Sequence, residues 1–301
     1  MRFGLFGTGP WAQLAHAPAL ADHEDVEFVG VWGRDPDKAG ALAAEHGVRA
    51  YGHIEDLIGE VDAVAIALPP DVQAPIALRA ARAGRHLLLD KPVAFTPAEA
   101  DEIAAAVDER GLASVVFFTR RLVPVTVDFL AEARALGGWR EARVDHLGSI
   151  FATGSAFGES PWRQQRGGLW DVGPHALALL LPVLGPVTEV TAMAGPHDMT
   201  HALLRHESGA ISTLTLSVDA AADQVRQEIV FAGEAGMRRV PDAQWRADQA
   251  LGVAISQLIA AAAGGPKSEI DVRFGAAVTA VLAACQEAIT TGRTVAIGTA
   301  R

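Results

Sequence analysis

Apolar runs and amphipathic stretches alternate along the first 118 residues. Short, nearly unbroken apolar runs at 2–6, 26–32, 63–68, 86–89 and 113–118 predict strands buried on both faces. Amphipathic stretches at about 11–21, 36–46, 54–59, 72–83 and 97–110 predict the helices between them. Such alternation implies an α/β domain, a doubly wound parallel sheet with helices on both faces. Past residue 120 the pattern changes. A helix at 125–136 leads into longer candidate strands at 140–152, 187–194, 199–206, 210–217 and 226–232. Most are joined by short Gly- or Pro-containing turns such as Glu207-Ser-Gly-Ala210. Helices at about 171–184, 243–263 and 272–291, with a closing strand at 294–297, complete a second, α+β domain on a mostly antiparallel sheet. The expected division is 1–118 and 119–301, with no internal repeat and no long linker.

The first strand stops at a glycine. Gly7-Thr8-Gly9-Pro10-Trp11-Ala12 then form the G-x-G-x-x-G/A pattern of a dinucleotide-binding turn. Gly7 allows the tight turn, Gly9 leaves bare backbone for a pyrophosphate, and Ala12 lets helix pack closely on strand. Pro10 suits the first helical turn, where its missing N–H costs nothing. The free N–H groups and positive dipole end of that helix would face a diphosphate. A plain glycine turn could look the same, but the required context is present. A strand precedes it, a helical stretch follows, and a second strand arrives at 26–32.

Ligands of open parallel sheets bind beyond the carboxyl ends of the strands. The second strand ends Gly33-Arg34-Asp35-Pro36-Asp37-Lys38. A guanidinium and an ammonium suit a 2′-phosphate, so NADP is expected over NAD, although Asp35 could also serve the ribose. The alternative is a solvated helix start in which Asp35 and Asp37 pair with those cations. Leu68-Pro69-Pro70 is a stiff turn, a wall beside the nicotinamide ribose or simply a loop. The apolar run His86-Leu-Leu-Leu delivers Asp90-Lys91-Pro92 to the sheet edge. Lys91 precedes a proline, so its backbone is restrained and the bond could be cis. Its amine could hold a substrate's reacting oxygen and share in proton transfer, or simply pair with Asp90 at the surface.

A third cluster is Trp162-Arg163 followed by Gly167-Gly168-Leu-Trp170-Asp171-Val-Gly173-Pro174-His175. Asp171 and His175 are four apart, on one helix face. Taken alone, the spacing also fits an N-cap aspartate and a satisfied, partly buried histidine. His146, His197, His201 and His206 lack metal-ligand spacing and read as structural or surface residues, so no metal is expected. Arg120, Arg121 and Arg163 either hold an acidic or phosphorylated substrate or are ordinary surface arginines.

Composition narrows the partners. Among 301 residues, 25 basic against 36 acidic side chains give a formal charge of −11, which argues against nucleic acid or an anionic membrane. Cys285, the only cysteine, excludes an internal disulfide and reads as a buried small residue. The chain opens directly on a strand, and the apolar stretch 176–183 is too short to span a bilayer. A soluble, cytoplasmic protein is the expectation.

Gly7-x-Gly9-x-x-Ala12, Asp90-Lys91-Pro92 and Gly167-Gly168-x-x-Asp171-x-Gly173-x-His175 occur in one order. Together with Gly33 to Lys38 and the closing Ala288-Ile-Thr-Thr-Gly292-Arg-Thr-Val, they resemble the glucose–fructose oxidoreductase/inositol dehydrogenase (Gfo/Idh/MocA) family over essentially the whole chain. The resemblance implies an N-terminal Rossmann domain and a C-terminal domain with an open-faced sheet. It implies a nicotinamide in the cleft and a homodimer or homotetramer through the sheet's other face. By position, Lys91 matches the family's lysine at the reacting hydroxyl and His175 its usual acid/base. Asp171 matches the carboxylate on the same helix face, and Trp162-Arg163 a pair near the nicotinamide or substrate. Expected cofactor contacts are Gly7, Thr8, Gly9, Pro10, Trp11, Ala12, Gly33, Arg34, Lys38, Leu68, Pro69, Pro70, Gln73, Asp90, Lys91, Trp162 and Arg163. The chain departs from the family in three places: Asp90 replaces the usual Glu, Gln73 stands where many members have His, and two glycines rather than three precede Leu-Trp-Asp. The implied activity is NAD(P)-dependent oxidation or reduction at a CH–OH carbon of a sugar, inositol or related polyol. A non-catalytic nicotinamide-dependent sensor and an NAD-dependent glycosidase are the alternatives, and the intact Lys91, Asp171 and His175 set argues against the sensor.

Overall fold

A computed structural model describes residues 1–153, 155 and 157–298, and its contacts divide the chain into two compact units. The first holds residues 1–122 and 245–277, and the second holds 123–244 and the chain from 278. The expected boundary at 118 lies near the first of these. The return of 245–277 to the first unit has no signature in the apolar pattern.

In the first unit the strands are β1 (Arg2–Phe6), β2 (Glu27–Trp32), β3 (Arg49–Tyr51), β4 (Ala63–Ile66), β5 (His86–Leu89) and β6 (Ser114–Val116). All are parallel, in the order β3-β2-β1-β4-β5-β6. That is the doubly wound order with its switch point between β1 and β4. Every residue of β4 is buried, as its continuous apolar run requires. The helices are α1 (Ala17–Asp22), α2 (Pro36–Glu45), α3 (Ile54–Glu60), α4 (Pro70–Arg82) and α5 (Pro97–Glu109). The expected helix over 11–21 is not uniform. Ala12–His16 forms a π turn ahead of α1. Pro18 explains it: proline cannot donate to the carbonyl four residues back, and a widened turn lets Pro18 sit in a new first turn. The edge strand β3 was not anticipated, because three residues with two exposed carry no alternation to read.

The second unit contains α6 (Pro124–Leu136), β7 (Trp139–Leu147), α7 (Pro161–Asp171) and α8 (Gly173–Leu184). Then come β8 (Val187–Ala194), β9 (Thr200–His206), β10 (Ile211–Ser217), β11 (Arg226–Gly233) and β12 (Gly236–Arg239). With β13 (Val295–Ala296) they form one sheet, ordered β12-β11-β7-β10-β9-β8-β13. Only β7 and β10 run parallel, so the sheet is mostly antiparallel, as expected. Along β9, Ala202, Leu204 and His206 are buried while His201, Leu203 and Arg205 are exposed, the alternation of a sheet covered on one face. The expected strand over 140–152 ends at Leu147, and Gly148 and Ile150 instead donate to the carbonyls of Ser217 and Val218. The short α7 and the fully exposed β12 were not expected.

The returning segment carries α9 (Ala247–Ala262) and the start of α10 (Val272–Thr291). Val116 donates to the Ile270 carbonyl (2.7 Å), and Val272 donates to Ser114 Oγ (3.1 Å), which ties the segment to β6. Two helical stretches, Pro161–Leu184 and α10, are long and apolar enough to cross a membrane. Of their apolar windows, 78% and 56% are buried within the fold, the character of core helices.

Candidate active site

The turn after β1 is stitched to both neighbouring strands. Gly7 donates to the Trp32 carbonyl (2.8 Å), and Ala67 donates to the Phe6 carbonyl (2.8 Å). Gly7 has φ +132°, and a Cβ there would overlap the carbonyl oxygen of Ala67, so only glycine fits. Gly9 is exposed, and a Cβ on it would meet no protein atom within 4 Å. The bond from Gln13 N–H to the Gly9 carbonyl (3.1 Å) opens the helical ladder, so the N–H groups before it have no intrahelical acceptor. Gln13 Nε2 also donates to the Thr8 carbonyl (2.9 Å) and braces the turn from the helix side. Ala12 is buried, and the Trp11 ring lies 6.2 Å from that of Phe117. Bare backbone and a helix N-terminus together fit a diphosphate.

Beyond β2, Asp35 caps α2. Its Oδ1 accepts from the Asp37 and Lys38 N–H groups (3.0 and 3.2 Å), and Lys38 Nζ lies 4.0 Å from its Oδ2. The solvated helix start is therefore what Asp35 and Lys38 form. Arg34 is exposed and has no ion-pair partner among the described residues. After β4, Leu68 and Pro69 are half-buried, while Pro70 is buried as the first residue of α4.

At the end of β5 the Lys91-Pro92 bond is cis. Asp90 turns back, and its Oδ1 accepts the Lys91 N–H (2.8 Å). Gln73 on α4 is 0% exposed, and its amide grips this turn from below. Nε2 donates to the carbonyls of Asp90 (2.8 Å), Pro92 (3.1 Å) and Val93 (3.2 Å), while Oε1 accepts the Asp90 N–H (2.9 Å). Gln73, expected to contact the cofactor, thus has its amide engaged with backbone and its surface buried. Its part is to hold Asp90-Lys91-Pro92, where Lys91 itself is half-exposed.

In the second unit, α7 is two helical pieces joined at Gly167, whose φ of +62° breaks the helix. Val172 keeps right-handed helical dihedrals between α7 and α8, so Asp171 and His175 remain one turn apart. Asp171 is buried, and its Oδ2 accepts from Arg163 Nε at 2.9 Å. It is neither an N-cap nor an isolated carboxylate beside His175, because Arg163 answers much of its charge. The Arg163 guanidinium also stacks over Trp162 (4.5 Å) and Phe157 (5.2 Å). His175 is half-exposed with the His146 ring 6.0 Å away, a neighbour that spacing did not reveal. Arg120 and Arg121 are not the ordinary surface arginines of the second reading. Both are buried, and Arg121 bonds Glu269 (2.7 Å) with its guanidinium 5.5 Å from the Phe274 ring. In the segment 151–165, residues 154 and 156 lie outside the described residues.

Two family profiles match this arrangement. An oxidoreductase family with an NAD-binding Rossmann fold, GFO/IDH/MocA, covers residues 1–118, and the GFO/IDH/MocA C-terminal domain covers 125–239. The chain belongs to the Gfo/Idh/MocA family. Its relatives include named dehydrogenases and reductases, and the chain is an NAD(P)-dependent oxidoreductase. It is 28% identical over 258 residues to dTDP-3,4-didehydro-2,6-dideoxy-alpha-D-glucose 3-reductase of Streptomyces antibioticus, covering 80% of this chain and 75% of that one. It is 28% identical over 231 residues to 4-carboxy-2-hydroxymuconate-6-semialdehyde dehydrogenase of Sphingobium, 72% of each chain. The fold matches the WlbA dehydrogenase of Bordetella pertussis, solved with NADH and UDP-GlcNAcA, with a TM-score of 0.88 at 22% identity, covering 100% of this chain and 98% of that one. Within the Gfo/Idh/MocA frame, Gln13, Gln73 and His146 are the residues that sequence patterns undervalued. Each shows its part only through hydrogen bonds or ring contacts made across the fold.

Proposed function

We propose that this chain moves a hydride between a nicotinamide and a hydroxyl- or carbonyl-bearing carbon of a sugar, inositol or related polyol, with NADP favoured over NAD. The observation that carries the reading is the turn at Asp90-Lys91-Pro92, where a buried strand ends in one half-exposed amine on a backbone gripped by Gln73. When bound, the nicotinamide supplies or accepts the hydride. Lys91 donates to the substrate oxygen and stabilises negative charge developing there. In the alcohol-to-carbonyl direction His175 would take the O–H proton. Asp171, paired with Arg163, holds the helical turn that carries His175. Trp162 and Arg163 form the rim of that turn.

The sugar class rests on relatives whose own names carry a deoxysugar or a sugar nucleotide. The relative named for a semialdehyde supplies the competing substrate class. The experiment is a panel of inositols, free sugars, keto-sugars, nucleotide-linked sugars and semialdehydes, read by absorbance of the reduced cofactor. Turnover of a sugar or polyol supports the reading. Turnover of semialdehydes alone overturns the substrate class, and release of a leaving group with no net cofactor change overturns the reaction.

The NADP preference rests on Arg34, which is exposed and has no ion-pair partner among the described residues, next to Asp35, whose carboxylate is occupied by its cap and by Lys38. A guanidinium free to bind a 2′-phosphate bidentately favours NADP. Arg34→Ala is expected to weaken NADPH by about tenfold or more and leave NADH nearly unchanged. Equal loss for both cofactors in a binding titration removes Arg34 from this role.

A further inference from the structure

The loop between β8 and β9 holds the two positive-φ non-glycine residues found among the described residues, His197 (φ +52°) and Asp198 (φ +58°). Left-handed backbone is unfavourable for such side chains, and two in succession persist only where surrounding contacts hold them. The contacts here are specific. Asp198 Oδ2 accepts the Gly168 N–H (2.5 Å) and the Val218 N–H (3.1 Å). Ser217 Oγ donates to the His197 carbonyl (3.0 Å) and accepts the Asp219 N–H (3.0 Å). The loop is thereby fastened both to the end of β10 and to the break in α7.

That break has the Trp162-Arg163 arm on one side and the Asp171–His175 turn on the other. A Cβ on Gly167 would overlap the Asp198 carboxylate, so the glycine is required by its dihedral angle and by the carboxylate that fills the space beside it. Arg163 then reaches back across eight residues to Asp171 at 2.9 Å. One oxygen of Asp198, bonded to the first N–H after the break, sits at the vertex of this fold-back.

We propose that Asp198 is a positioning residue: its carboxylate fixes the Gly167-Gly168 break and so sets the placement of Asp171 and His175. The inference rests on His175 as the proton acceptor described above. Burial pushes the Asp198 carboxyl above its ordinary value, against the pull of the two N–H donors, with Asp219 and Asp171 adding to the rise. What the two backbone donors require is an acceptor oxygen, which a neutral amide also supplies.

Two variants separate oxygen from charge. Asp198→Asn keeps one oxygen for both N–H groups and tolerates left-handed backbone. Asp198→Gly keeps the backbone conformation and removes the oxygen. Both lose the charge beside Asp171 equally. The readouts are kcat, KM for the cofactor, and the NMR titration of the His175 ring, assigned with His175→Gln. The His146 ring lies 6.0 Å from that ring, and the Arg163–Asp171 ion pair lies one helical turn before it. Asp198→Gly is expected to lower kcat roughly ten- to hundredfold at unchanged cofactor KM and to shift the His175 titration. Asp198→Asn should follow the wild type in all three. Gly167→Ala, which pushes on the same carboxylate, should reproduce the Asp198→Gly shift and keeps the test alive if Asp198→Gly does not fold. An unmoved His175 titration in both Asp198→Gly and Gly167→Ala overturns the inference, as does an Asp198→Asn variant that behaves like Asp198→Gly. A shifted titration together with full turnover in His175→Ala leaves the positioning intact and overturns the proton-transfer reading instead.

Discussion

The turn after β5 and the break in α7 are both held by one polar side chain bonded to backbone, and they differ in what that side chain is. Beneath Asp90-Lys91-Pro92 the support is a neutral amide with no exposed surface, making four hydrogen bonds. At Gly167-Gly168 it is a half-buried carboxylate on a left-handed loop, with two backbone donors on a single oxygen. A buried amide that satisfies its donor and acceptor together incurs little desolvation cost, whereas a buried carboxylate incurs one and needs its donors to offset it. The first turn is thus the stiffer design. The second depends on one acceptor oxygen shared by two backbone donors.

The largest expected effect falls on the residue proposed to act on the substrate in each region. Lys91→Ala and His175→Ala should each reduce kcat roughly a hundredfold or more while a cofactor titration shows that binding survives. If either keeps wild-type turnover on an identified substrate, that residue has no part in the chemistry. Next comes Gln73→Leu, which strands the carbonyls and N–H of the Asp90-to-Val93 turn. Turnover should fall roughly tenfold or more, and urea unfolding should report a stability loss of about 1–3 kcal/mol. Loss of stability with full activity would make Gln73 merely structural.

His16 provides the contrast of a buried polar group packed edge-on against Phe117 and without a hydrogen bond among the described residues. It is 0% exposed in the π turn, and neither ring nitrogen has a hydrogen-bond partner among the described residues. Burial lowers its pKa from 6.5 to about 3. The unfolded chain takes up this proton near 6.5 and the folded chain only near 3, so the stability held above pH 6.5 drains away as pH falls toward 3. His16→Leu should flatten that decline, by at most about 1.4 kcal/mol per pH unit, in urea titrations across the window. An unchanged slope would mean the ring is protonated inside the fold.

What could be read in advance follows the same contrast. The apolar runs and the glycine turn located β1, β2, β4, β5 and β6, because a parallel strand buried on both faces leaves an uninterrupted local signal. Asp90-Lys91-Pro92 was legible because a charged pair and a proline end one of those runs. Gln73 was visible only as a departure from a family habit, since its partners lie 17 to 20 residues away in sequence. The α7 break was harder still. Pro161 to Gly168 has no helical apolar periodicity, and its support comes from Asp198, 30 residues beyond Gly168. Likewise, Asp171 and His175 could be put on one face from spacing, but the Arg163 partner that changes the character of Asp171 comes from a helical piece that spacing did not predict.

In the proposed mechanism, buried Gln73 acts on the chemistry only through the backbone it holds around Lys91. The most direct measurement is the single-turnover rate of cofactor reduction, at saturating cofactor, in Gln73→Leu, Lys91→Ala and the double variant. If Gln73 works through Lys91, the double variant reacts no more slowly than Lys91→Ala alone. Losses that multiply would place Gln73 on a separate route and contradict the account.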